Sequence, residues 1–166
     1  MPYTPIPGDL VFCHSKGLIS KAIRLGELIR WRSGATWNHI AIIDSVDGDN
    51  ITVIQAEAHG VTDDRQLSTI SPGGRYLVTP PPDGVDRSKL LAFARQEVGA
   101  SYGFVSIASL IINILSPGWI TVRWTNSWIC SAVSAEALRA GGWLHRWNDV
   151  YQVSPAQLAL ALGIPA

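Results

Sequence analysis

Cys130 lies in Trp128-Ile129-Cys130-Ser131-Ala132-Val133, at the expected start of a helix. Unpaired backbone N–H groups and the positive end of the dipole favour a thiolate there. The same amides can hold an oxyanion, so the chemistry this position offers is nucleophilic acyl transfer. A cysteine in an apolar run is equally an ordinary small packing residue, and the catalytic reading therefore requires a base. His39 opens the run His39-Ile40-Ala41-Ile42-Ile43, where a strand's period of two places it with Ala41 and Ile43 on one face. A histidine in such a strand must find partners for its ring nitrogens. His14 and His59 fall in expected loops and His145 stands between Trp143 and Trp147; these three read as surface or satisfied histidines. An imidazole base needs a third group to fix its tautomer and orientation. Gln55 and Glu57, two residues apart on the neighbouring strand, share one face, and either can serve; the solvent face of an amphipathic strand would look the same.

Other chemistries find less support. Cys13, His14, His39, His59, Cys130 and His145 form no CxxC, HxH or HExxH, so neither a metal nor a cofactor is expected. The glycines make neither GxGxxG nor GxxxxGK. Thirteen Lys+Arg balance thirteen Asp+Glu, which leaves no global field to attract nucleic acid. With 47% hydrophobic and 16% charged residues, residues 1–166 are expected to form one globular domain whose core needs no disulfide. Cys13, inside an apolar strand, reads as buried packing, and both cysteines as thiols. No basic and apolar leader opens the chain. The longest apolar stretch, Phe104 to Leu115, falls short of the roughly 20 residues that span a bilayer. A cytoplasmic or virion-associated protein is the expectation.

The elements that must position these residues read as strands first and helices later. Gly8 to Cys13 suggests a strand. Lys16 to Arg32 has Leu18, Ala22, Leu25 and Ile29 at helical spacing, with Lys16, Lys21, Arg24, Arg30 and Arg32 against Glu27 alone, a basic amphipathic helix suited to an anionic membrane or simply to solvent. Asn38 to Ser45 and Ile51 to Ala58 flank a turn cluster and predict a hairpin; Arg75 to Thr79 adds a strand. After Pro80-Pro81-Pro82, Asp86 or Ser88 can cap a helix to about Val98, ended by Gly99. Tyr102 to Leu115 predicts a second helix, Cys130 to Ala140 a third, and Ser154-Pro155 the cap and first residue of a fourth. The fold class is α+β, a small antiparallel sheet packed against helices.

This order resembles a known family. The motifs Pro7-Gly8-Asp9-Leu10-Val11, Trp37-Asn38-His39-Ile40-Ala41, Val53-Ile54-Gln55-Ala56 followed by Gly60-Val61, Gly99-Ala100-Ser101-Tyr102, and Trp128-Ile129-Cys130-Ser131 are similar to those of the circularly permuted NlpC/P60 papain-like cysteine hydrolases, the YiiX/YycO-like proteins, related to the lecithin:retinol acyltransferase-like group. In the unpermuted papain order the cysteine helix comes first. The resemblance implies Cys130 as nucleophile, His39 as base and Gln55 as the orienting residue. The family more often has Glu where Gln55 stands, which keeps Glu57 as a substitute.

It further implies Tyr102 at the start of a helix beside the cleft, with Trp128 and Ser131 as neighbours of the substrate. Trp119, Trp124, Trp128, Trp143 and Trp147 cluster late and could wall a groove or fill the core alike. The implied activity is amide hydrolysis, in a peptide of the bacterial cell wall (peptidoglycan). Two other readings stand beside it: a lipid esterase or acyltransferase using the same site at a membrane, and a structural component of a phage tail or virion with little activity, part of a larger assembly.

Overall fold

The computed structural model of the protein describes residues 3–14, 36–71, 75–103, 127–147 and 149–165. The expected helices over Lys16 to Arg32 and Tyr102 to Leu115 lie outside these residues wholly or, for the second, from residue 104 on, as do Trp119 and Trp124. The N-terminal half forms strands β1 (Leu10–Cys13), β2 (His39–Asp47), β3 (Asn50–Glu57), β4 (Gly60–Gln66) and β5 (Tyr76–Thr79), with one helical turn, α1 (Leu67–Ile70), before β5. They make one antiparallel sheet in the order β4-β3-β2-β1-β5. The C-terminal half supplies α2 (Arg87–Gln96), two short strands β6 (Ser101–Tyr102) and β7 (Ser127–Trp128), α3 (Cys130–Ala140), a 3-10 turn (Val150–Gln152) and α4 (Pro155–Ala161). This is the mixed α+β class expected from the order of elements.

The sheet buries two faces. Leu10, Phe12, Ile40, Ile42, Ile54 and Ala56 join the apolar residues of α2, α3 and α4 in the larger cluster. Val11, Cys13, Ala41, Ile43 and Val53 join Leu67 and Ile70 of α1 in a smaller one. That two-sided burial explains why β2 reads as a continuous apolar run at its start instead of alternating. The β2–β3 hairpin closes through Gly48-Asp49, with Asp47 paired to Asn50 and Gly48 at φ +57°, the conformation that a two-residue hairpin loop demands of its first position.

Helix ends follow their local signals. Asp86 accepts from the amides of Ser88 and Lys89, at 3.0 and 3.1 Å, to start α2. Ser154 and Gln157 form a reciprocal capping box at α4, with Pro155 at the first position. The Pro7-Gly8-Asp9 turn is tied in twice. Its backbone meets β2 through Gly8 N–H to Ile43 O and Ile43 N–H to Asp9 O, each 2.8 Å. The fully buried Asp9 carboxylate accepts from Tyr3 Oη (2.8 Å) and the Ile6 amide (2.9 Å), and its other oxygen stands 2.7 Å from Arg87 Nη1 of α2, a nitrogen that also donates to Pro7 O.

Two expectations change. Gly60–Gln66 had no predicted strand, yet forms the edge strand β4, its outer part lined by exposed Asp63, Asp64, Arg65 and Gln66. Such a charged edge discourages pairing with another chain and also erases the apolar alternation by which strands are recognised. Tyr102 does not begin a helix. It sits in β6, paired in parallel with Trp128 of β7, held where Val61 N–H meets Ala100 O and Gly99 N–H meets Val61 O. Gly60 makes this approach: at φ +113°, a Cβ there would fall 2.5 Å from Ala100 O. Among the described residues, no helix is long and apolar enough to cross a membrane.

Candidate active site

The sheet and α3 bring residues 39 and 130 together. His39 is the first residue of β2, at the end of the sheet, and Cys130 is the first residue of α3. The Cys130 sulphur is hydrogen-bonded to the His39 ring and accepts from the backbone amides of Ile40 and Ser131. The ring's Nε2–H donates to Gln55 Oε1 at 2.6 Å. With Nε2 so engaged, Nδ1 is left to face the sulphur. An amide oxygen can only accept, so Gln55 fixes the tautomer that leaves Nδ1 free to take and return a proton.

Gln55 holds this place because of the strand geometry. It lies diagonally across β3 from His39, completely buried, next to a register shift between β3 and β4 that spans Val53 and Gln55. A bulge of that kind re-aims side chains. Glu57, weighed as its substitute, carries its carboxylate 3.7 Å from Arg65 Nε, and the bond to the ring comes from Gln55.

Electrostatics favour the ionic form of the pair. Burial alone would push the His39 ring down, but the Cys130 thiolate, the hydrogen bonds to Cys130 and Gln55, and the Glu57 carboxylate lift it from 6.5 to about 9. On Cys130 burial pushes the thiol up, and the charge and hydrogen bond of His39, with the amides of Ile40 and Ser131, outweigh it and hold the group below its ordinary value near 9. Both shifts favour a thiolate–imidazolium pair over two neutral groups, the form a cysteine nucleophile would need.

The start of α3 adds donors. The first backbone bond of the helix runs from Val133 N–H to Ile129 O, so the amides of Cys130, Ser131 and Ala132 precede the intrahelical ladder. Ile129 at the N-cap offers no side-chain oxygen to occupy them. Ser131 N–H serves the sulphur, and the Cys130 amide stands next to the nucleophile where an oxyanion would form.

The remaining expected site residues divide. Tyr102 borders the pair: its phenol is pushed up by burial and by the nearby Cys130 and Glu57 charges. Trp128 commits its indole N–H to Glu97 Oε2 (2.6 Å), stacks on Tyr151 at 5.3 Å and meets Phe93 edge-on; its ring is part of the main core. Ser131 gives its hydroxyl to Val153 O at 2.6 Å, so its amide faces the sulphur while its side chain ties α3 to the 3-10 turn. Trp143 and Trp147 gather around His145 (4.8 and 4.3 Å between ring centroids) and pack on the main core.

Two contributors carry no sequence signal as site residues. The Ile40 amide is a backbone donor that any residue could supply. Cys13 pairs directly with His39 across β1 and β2, which places both side chains on one face; burial first, then the Cys130 and Glu57 charges, push its thiol up to about 12. Both cysteines are buried and free of disulfides. Among the described residues, no group of three or more His, Cys, Asp or Glu is arranged to hold a metal. No protein-family model matches the chain, and no curated protein matches it.

Proposed function

We propose that this chain is a cysteine-dependent acyl hydrolase of the permuted NlpC/P60, papain-like kind, acting on an amide bond, with cell-wall peptides as the substrate class. The observation that carries the reading is the hydrogen-bonded series Cys130–His39–Gln55, with the sulphur at an uncapped helix start. The order of the elements supports the permuted relationship, since the His and Gln strands precede the Cys helix. The cell-wall substrate rests on the resemblance in the five motifs.

Each step uses a group already in place. The Cys130 thiolate attacks the carbonyl carbon, and the oxyanion that develops accepts from the Cys130 backbone N–H. Imidazolium Nδ1–H of His39 gives its proton to the leaving nitrogen as the C–N bond breaks, which leaves a thioester on Cys130. A water then loses a proton to Nδ1 and attacks the thioester, releasing the acid and restoring the thiolate. Gln55 Oε1 accepts from Nε2–H throughout and keeps the ring from turning. Being neutral, it orients the imidazolium without the charge stabilisation that a carboxylate would add.

The test is Cys130→Ala against cell-wall stem peptides and short peptide amides, with product release followed by mass spectrometry. Wild-type turnover and a folded, inactive variant are expected. Undiminished cleavage by Cys130→Ala would overturn the mechanism, and absence of cleavage by the wild type across both panels would overturn the substrate class.

A further inference from the structure

Gln55 spends only half of its amide. Its Oε1 is bound to His39, but its Nε2, completely buried, has no hydrogen-bond partner among the described residues. Directly opposite Gln55 in the β3–β4 register stands Thr62, whose buried Oγ1 is likewise without a partner. Directly opposed residues point to the same face with Cβ atoms roughly 5 Å apart. Gln55 therefore lies between β2, where its oxygen goes, and β4, where its N–H₂ is left facing an unsatisfied hydroxyl. A buried polar atom with no partner is costly, and two on directly opposed residues that do not bond to one another are what a single shared water can satisfy.

We propose that Thr62 is a positioning residue for the candidate site, acting on the Gln55 amide through one water shared between Gln55 Nε2 and Thr62 Oγ1. Its effect is to choose between the two faces of the amide. With Nε2 engaged towards β4, Oε1 must face His39. Without that engagement the amide can rotate by half a turn and present N–H₂ to the ring, a donor against a donor whenever His39 is protonated. The hydroxyl on β4 thus protects the tautomer that leaves Nδ1 to Cys130. This inference rests on the proposed role of the Cys130–His39 pair but is tested without turnover.

The groups that face His39 are Cys130 from α3, Glu57 and Gln55 from β3, and Cys13 from β1, with Tyr102 of β6 beside Cys130. Of these only the Gln55 amide is expected to change with Thr62, so a shift in the ring reports on that amide. The experiment is nitrogen NMR of the imidazole in the full chain, titrated with pH, for wild type, Thr62→Val and Thr62→Ser. Thr62→Val keeps the shape and removes the hydroxyl. It is expected to lower the proton affinity of His39 about tenfold, the size of one hydrogen bond to a charged group, and to give a mixture of ring tautomers where the wild type has Nε2–H alone. Thr62→Ser is expected to restore both. An unchanged titration and tautomer in Thr62→Val would overturn the inference, as would an equal change in Thr62→Ser. If Thr62→Val behaves as expected but the wild type cleaves no peptide, the positioning role stands and the hydrolase reading falls.

Discussion

Replacing His39 by Gln removes the cation beside Cys130 while leaving a polar side chain of similar reach. The lift of His39 from 6.5 to about 9 corresponds to roughly 3 kcal/mol in favour of the protonated ring, at about 1.4 kcal/mol per tenfold. Among the causes that raise it, the Cys130 charge is the largest. Coupling between two sites is reciprocal, so most of that energy is also what holds the thiolate at its buried position. Take it away and the Ile40 and Ser131 amides remain, but burial prevails. The equilibrium ratio of thiolate to thiol should then fall by about two orders of magnitude. Ultraviolet absorbance of the thiolate, corrected with Cys130→Ala, reads this directly and does not depend on access to the buried sulphur. Iodoacetamide labelling with peptide mapping reads it independently, with Cys13 as the silent control because its thiol is pushed up to about 12. The Cys130 thiolate should appear at lower pH in the wild type than in His39→Gln. Identical titrations in the two proteins would refute the ion pair, and with it the assignment of His39 as base.

The same pair shapes stability against pH. The raised His39 contributes stability that is lost as pH climbs from 6.5 through about 9, while the lowered Cys130 contributes stability that is lost as pH falls through its folded value; where the two ranges overlap the slopes oppose one another. Urea midpoints of the wild type relative to a His39→Gln/Cys130→Ala double variant should therefore change less between pH 6.5 and about 9 than the His39 shift alone would produce, and a difference that keeps the full slope of one proton across that whole range would contradict the pairing. Arg87→Met should destabilise the fold by about 3 kcal/mol, the lower end for breaking a buried ion pair because Arg87 is itself partly exposed while Asp9 is not; an unchanged urea midpoint would show that the Tyr3 and Ile6 hydrogen bonds suffice for Asp9.

What could be read from the sequence was local. Asp86, Ser154 with Pro155, and the glycines after Ala140 announce helix ends within a few residues of themselves, and the structure places those ends accordingly. The β2–β3 hairpin follows from its turn and its two apolar runs. What depends on distant partners could not be read. Tyr102 forms its strand because Ser101 and Tyr102 meet Ser127 and Trp128, a pairing that leaves no trace in the residues around Tyr102. Thr62 belongs to a segment whose charges suggest a loop, and its place opposite Gln55 depends on a register shift. Gln55 and Glu57 were indistinguishable as residues on one face; a single hydrogen bond to the ring separates them. Cys13 read as packing, and it is packing, but its place beside His39 follows only from the β1–β2 register.

Ninety-one positions, 130 minus 39, separate the sulphur from the ring that ionises it. In an unfolded chain Cys130 has only its intrinsic acidity, and the helix amides and the imidazolium act on it only once α3 has docked against β2. The perturbed thiol is therefore a property of tertiary structure that arrives with cooperative folding. During synthesis the ribosome releases residue 39 long before residue 130, so the imidazole is made well before the sulphur that it meets. Every chain that is incomplete, misfolded or locally opened at the β2–α3 contact carries a thiol of ordinary acidity, and the proposed hydrolysis would be confined to molecules that have finished folding.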